Sequence, residues 1–279
     1  MNRLEALELI VGQASRGELI FPTNVAASLK LQRALDDPDC HLEAVAELVL
    51  AEPLIAARLV AIGNSVAYTR FGGKVNNVRS AVNLLGFQTL RPLVAAIVVR
   101  QFGGTSADAS IHGKAELLWQ HSASVAALAK VIARRLTEVD PETALFAGIV
   151  HEISGFYLLS RAEEFPALLE GSPDESSTNA NLLLARSVLQ VLKIPKPVGS
   201  AVESLYAGGT ANRPPATLGD ILSLANDLAS VPSPLAGLDT AARLQAIGSI
   251  DFPVGDKTLQ MILVECEDEI KSMQEALLS

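Results

Sequence analysis

No stretch limits what this chain can become more than Leu145-Phe146-Ala147-Gly148-Ile149-Val150-His151-Glu152-Ile153-Ser154-Gly155-Phe156-Tyr157-Leu158-Leu159. It is apolar or small nearly throughout, so it belongs in the centre of a packed core, and it carries an imidazole and a carboxylate side by side into that centre. Asp140-Pro141 opens it as a helix: a side-chain oxygen caps the first turn, and the ring lacks only an N–H that would have no partner there. The spacing predicts a helix from Asp140 to about Ser154, with Gly155 as the C′ residue that ends it. At about 100° per residue, Ala144, Ala147, Gly148 and His151 share one face, and their small side chains let a partner helix approach closely before the imidazole is met.

What surrounds that helix follows from composition. The chain has 279 residues, enough to bury a full core as one large or two modest domains, and is 49% hydrophobic but only 4% aromatic. The core is therefore built from Leu, Ala, Val and Ile, which favours packed helices, and the expected class is all-α. The net charge is −9 and no cluster of Lys and Arg is visible, which argues against a phosphate-backbone footprint and so against nucleic acid as a partner. Apolar runs such as Leu93 to Val99 fall short of the roughly 20 residues that span a bilayer. Met1-Asn2-Arg3-Leu4-Glu5 has an acid where a signal peptide would be apolar. No membrane and a cytoplasmic location are expected. Cys40 and Cys266 stand far apart with no second ligand pair, so neither a disulfide framework nor a zinc site is indicated.

Read in order, the chain is helix after helix. Leu4, Leu7, Ile10 and Val11 stripe the first, before a break at Phe21-Pro22. A second runs from Thr23 to about Leu35. Asp39 is the expected N-cap of a third, with Leu42, Val45, Leu48 and Val49 on one face, and Pro53 opens a fourth, Leu54 to Ile62. Asn64-Ser65 and Gly72-Gly73 mark an irregular connection. Asn77 caps a helix that Gly86 terminates, and another, containing Leu93 and Ile97, ends near Phe102. The small, polar Gly103–Ser110 segment is the expected joint between two helical halves, 1–105 and 111–279. The next helix, about Ala115 to Leu136, places Leu118, His121, Ser122, Val125, Ala129, Ile132 and Leu136 on one face, so His121 points inward like His151. Gly171 to Thr178 is expected as a surface loop before a helix from Asn179 to Lys193. Thr217 and Asp220 form a capping box for a helix striped by Leu218, Ile221, Leu222 and Ala225. One amphipathic helix is expected from Lys257 to the end, with Glu265, Glu267, Asp268 and Glu269 facing water. There is no strand alternation.

A His on an apolar helix face is more often hydrogen-bonded core than ligand, and that is the simplest reading of both His121 and His151, with Glu152 as a partner or a surface acid. His41 and His112 sit in polar, loop-like contexts. Cys266 reads as a small core residue. No phosphate-cradling Gly loop and no nucleophile triad are present.

Five blocks in order give the chain a family likeness: Glu52-Pro53-Leu54, Asn64-Ser65-Val66-Ala67-Tyr68, Ala81-Val82-Asn83-Leu84-Leu85-Gly86, Leu118-Trp119-Gln120-His121-Ser122 and Ala147-Gly148-Ile149-Val150-His151-Glu152-Ile153. With Ile194-Pro195 and Ala225-Asn226-Asp227-Leu228-Ala229 as later landmarks, the sequence resembles the HDOD family. The resemblance implies an all-α bacterial signalling or regulatory module related to the HD-domain phosphohydrolases, whose metal is held by a His, a His-Asp pair and a later Asp. Those places correspond to His121, His151 with Glu152, and Asn226. Glu for Asp shifts the carboxylate by a methylene, and Asn for Asp replaces a charged ligand by a neutral amide. The expectation is thus a vestigial pocket formed by His121, His151, Glu152 and Asn226, with no catalytic residue, metal or cofactor. Its expected partners are signalling proteins, and a nucleotide held without turnover is a further candidate. The alternative is a metal-dependent phosphohydrolase using His121, His151 and Glu152 as variant ligands.

Overall fold

In a computed structural model, placement is described for residues 2–19, 26–50, 55, 59–60, 62–65, 68, 75, 77–103, 108–169, 175–191, 194–208, 212–235 and 250–278. The first helix shows how local chemistry sets an element: the Asn2 carboxamide accepts from the Glu5 N–H at 2.9 Å and the Glu5 carboxylate returns the bond to the Asn2 N–H. In chain order the helices are α1 (Arg3–Ser15), α2 (Ala26–Asp36), α3 (Leu42–Leu50), α4 (Val78–Gly103), α5 (Ala109–Leu136), α6 (Pro141–Val150), α7 (Ile153–Ser160), α8 (Glu175–Val191), α9 (Lys196–Tyr206), α10 (Leu218–Leu228), α11 (Leu259–Glu265) and α12 (Glu267–Leu278). A 3₁₀ turn, Pro166–Leu169, follows α7. The strands are β1 (Pro253–Val254) and β2 (Lys257–Thr258), a minimal antiparallel ribbon turned at Gly255, whose φ is 60°.

α5 is the spine. α6, α10 and α12 all pack along it, α4 lies across α6 and α7, and α1 packs on α8. A Cβ on Gly148 would stand 2.4 Å from Ala126 Cα and 2.7 Å from Ala126 N, so the expected small-residue face does bring α6 against the backbone of α5. Trp119, on α5, is 1% exposed. Its ring meets Phe156 edge-on at 6.2 Å and its Nε1–H donates to the Leu277 carbonyl at 3.2 Å. This side chain helps tie α7 and the C-terminal helix to the spine, a contribution of about 3–5 kcal/mol by comparison with large-to-small core truncations. Buried apolar residues form one continuous cluster from Leu7 and Leu59 through Leu90 to Phe156, Leu222 and Met273.

Expected caps are present in both halves. Asp140 accepts from the Thr143 N–H, Thr217 and Asp220 make the capping box of α10, and Asn77 accepts from the Ser80 N–H. Gly86 breaks α4 with φ 66° and ψ 172°, a conformation other L-residues rarely adopt, and a second helical segment follows directly.

Several expectations are corrected. The helix from Asp140 does not run on to Ser154: it stops at Val150, turns through His151-Glu152 and restarts at Ile153. Gly155 is therefore inside α7 rather than its end, and it is small for another reason: a Cβ there would lie 2.6 Å from Leu235 Cδ1 and 3.2 Å from Glu152 Oε2. Pro141–Ser160 is long and apolar enough by composition to cross a membrane, which the sequence reading overlooked, but its most apolar stretch is 83% buried inside the fold. The C-terminal helix is broken at Cys266, and Glu269 does not face water: it is 3% exposed and receives Arg134 Nη2 at 2.6 Å. α8 begins at Glu175, inside the expected loop, and α3 begins three residues after Asp39 rather than being capped by it. His112 lies on α5 rather than in a loop. Phe21-Pro22, most of the expected fourth helix, Gly72-Gly73 and positions 104–107 of the expected joint lie outside the described residues.

Candidate functional site

The turn between α6 and α7 exists to aim His151. At Val150 the helix stops, and at Glu152 the backbone has φ −98° and ψ 24°. This lets the His151 ring fold back so that Nδ1 lies 2.7 Å from the Gly148 carbonyl. His121, at the middle of α5, is held by the loop after α10: its Nδ1 lies 2.7 Å from the Val231 carbonyl. A carbonyl oxygen can only accept, so in both rings Nδ1 carries the proton and donates it, which leaves Nε2 as an unprotonated acceptor in each neutral imidazole. These two Nε2 atoms face one another at 3.1 Å, with ring centroids 5.0 Å apart and planes at 58°. Both rings are essentially buried, at 0% and 1% exposure.

Two acceptors at that distance repel unless a positive charge lies between them. A proton shared as an imidazole–imidazolium pair would supply it, and so would a cation. Glu152 supplies the counter-charge: its carboxylate and the two imidazoles have ligand atoms within 4.8 Å of one another. The Tyr206 hydroxyl approaches Glu152 Oε2 at 3.5 Å and pairs with Ser154 Oγ at 2.6 Å. Burial, and then the Glu152 charge, push the Tyr206 hydroxyl well above its ordinary value, so it stays neutral.

The same residues can be tested against the metal that HD-type chemistry uses. A donor set of two imidazoles oriented by backbone carbonyls and one carboxylate fits a single divalent ion, and 3.1 Å is close to the roughly 3.0–3.4 Å between neighbouring nitrogens at Zn–N distances near 2.0–2.1 Å. Among the described residues no second group of ligands stands beside it. Asn226, half-buried on α10, offers only a neutral amide. Its neighbour Asp227 is taken by Arg213 at 2.7 Å. Asp220 serves as a cap: burial alone would raise its carboxyl, but the N–H groups of Asn212, Thr217 and Ala216 and the Thr217 hydroxyl hold it down at about 2.

Of the four residues expected in the pocket, the structure thus assembles His121, His151 and Glu152, and places Asn226 on the helix that packs against α5 and α6. His41 and His112 are exposed and play no part. Cys266 is buried and, like Cys40, a free thiol. Sequence reasoning missed Tyr206 and Ser154. Ser154 could have been noticed as the one hydroxyl beside Glu152 in an apolar run, whereas Tyr206 arrives from a distant helix and has no local signal.

The HDOD domain family model matches residues 21–192. No curated protein matches the sequence. Among solved structures, one from Shewanella amazonensis, provisionally named a metal-dependent phosphohydrolase, superimposes with a TM-score of 0.70 at 20% identity over 99% of both chains. An HDOD domain protein of unknown function from Geobacter sulfurreducens gives 0.61 at 17% identity, over 97% of this chain and 98% of that one. A Marinobacter aquaeolei protein provisionally named for signal transduction gives 0.58 at 16% identity, over 100% of this chain and 67% of that one. At these identities the likeness is one of fold.

Proposed function

This chain belongs to the HDOD domain family, and on that premise we propose that it is a cytoplasmic bacterial signalling or regulatory protein that acts by binding protein partners rather than by turning over a substrate. One observation carries the reading: the two acids of α10 are committed elsewhere, Asp227 to Arg213 and Asp220 to its capping network, so among the described residues the buried imidazole pair has Glu152 as its one carboxylate. In this reading the His pair is a joint that fixes α5, the α6–α7 turn and the loop after α10 to one another. The experiment is a hydrolysis screen of phosphomonoesters, phosphodiesters and nucleotides with Mn, Mg and Fe added. Wild type should not exceed the His151→Ala background, and metal-dependent turnover lost in that variant would overturn the proposal.

A second reading is favoured by the facing Nε2 atoms: a site for one divalent cation, held by His121, His151 and Glu152. Such an ion, when bound, supplies Lewis acidity and an acidified water. The chain's own contribution is to hold both Nδ1 protons on the Gly148 and Val231 carbonyls and to bury the ligands among apolar side chains.

A further inference from the structure

Between α1, α7, the 3₁₀ turn, α8 and the end of α9 lies a pocket of about 210 Å³. One water takes about 30 Å³, so the space suits a molecule of several heavy atoms. Leu158, Leu159, Leu168 and Leu235 make most of its wall. Its polar groups sort into those already answered and those with capacity to spare. Glu152 faces the positive charge between the imidazoles, and the Tyr206 and Ser154 hydroxyls bond each other at 2.6 Å. Asn181 Oδ1 is buried in the same wall and, among the described residues, receives no hydrogen bond. A buried amide oxygen in that condition is costly. Arg3 lines the pocket from the other side of the seam where α1 packs on α8, with its Nε–H buried. It is engaged elsewhere as well, but a guanidinium carries five donors.

We propose that this pocket binds a small uncharged molecule, its apolar body against the leucines and its head a carboxamide, whose N–H donates to Asn181 Oδ1 and whose carbonyl accepts from Arg3. The lining holds one cation and one anion, so it favours neither sign of charge. A carboxylate head meets Glu152, a cationic head meets Arg3, and either is stripped of water on entry. A carboxamide gives up only hydrogen bonds that Asn181 and Arg3 restore. The inference does not rest on the regulatory reading and survives or fails separately from it.

The test titrates the full chain calorimetrically with pentanamide, pentanoate and pentanamidinium, whose heads share one shape and are neutral, anionic and cationic. Pentanamide should bind saturably at one site, at least about tenfold more tightly than either ion. Asn181→Leu removes the acceptor at similar bulk and should weaken pentanamide about tenfold. Leu169→Trp, which fills the pocket from its half-buried rim, should abolish binding, and both variants should keep the wild-type circular dichroism. No saturable pentanamide binding, equal or tighter binding of either ion, or undiminished binding by Asn181→Leu would each overturn the proposal. Should Asn181→Leu not fold, Leu169→Trp and the three-ligand comparison on wild type still decide it.

Discussion

Adding a single methyl group to Gly148 sets two effects of opposite sign against each other. Gly148 is inside α6, and on helix propensity alone Gly→Ala stabilises by about 1 kcal/mol. The new Cβ, however, would meet Ala126 Cα at 2.4 Å, Ala126 N at 2.7 Å and Ala126 Cβ at 3.1 Å, and a neighbouring helix backbone cannot rotate out of the way as a side chain can. Restoring ordinary contact requires α6 to move off α5 by roughly 1 Å, and a gap of that size forfeits a quarter to a half of each dispersion contact along the seam. We place the packing cost at about 3 kcal/mol, the upper end for overpacked cores, and the net loss at about 2 kcal/mol. Gly199, inside α9 with nothing within 4 Å of its would-be Cβ, is the control: Gly199→Ala should gain about 0.5–1 kcal/mol. Urea unfolding followed by far-UV circular dichroism measures both. A Gly148→Ala protein as stable as wild type, or more so, would refute the close approach of α5 and α6 that positions His151.

Three further outcomes follow from buried charges. Asp220 is 6% exposed and titrates at about 2 against an ordinary 3.8. It therefore contributes about 2 kcal/mol that is fully present above about pH 4 and lost as pH falls through about 2. Asp220→Asn should show that deficit at pH 7 and a shrinking one in acid, read from unfolding at a series of pH values. Arg134→Ala strands the Glu269 carboxylate and should cost about 3 kcal/mol in urea. Lys130 is 6% exposed and bonded to Glu142 Oε1 at 2.5 Å and to the Tyr68 hydroxyl at 2.6 Å. Lys130→Met should cost about 3 kcal/mol, most of it recovered in Lys130→Met/Glu142→Leu, as a double-mutant cycle would show.

Much of this architecture could be read before the coordinates because its determinants are local. Asp140-Pro141, Asn77 and the Thr217–Asp220 box are caps whose partners lie three residues away, and the α5 stripe is a matter of period. What could not be read depends on residues distant in sequence. The break at His151-Glu152 has no Gly or Pro to announce it; it coincides with the contacts His151 makes back to the Gly148 carbonyl and across to His121. Glu269 stands in a run of acids that looks solvated, and only Arg134, from another helix, explains its burial. The inward direction of His121 and His151 was legible from helical phase. Their mutual orientation through Nε2 was not, because it is set by the carbonyls of Gly148 and Val231. Asn226, with Asp227 and Asp220 spoken for, is where the sequence departure from the HD pattern acquires a structural reading.

Among the described residues the imidazole pair is backed by one carboxylate, Glu152, and so suits a single ion rather than a catalytic pair. Calorimetric titration of Mn and Zn into EDTA-treated protein, with bound metal counted by mass spectrometry, tests it directly. No more than one ion per chain should bind, and it should be lost in His151→Ala. Two ions per chain at this site, with a phosphodiester hydrolysed in proportion, would contradict it.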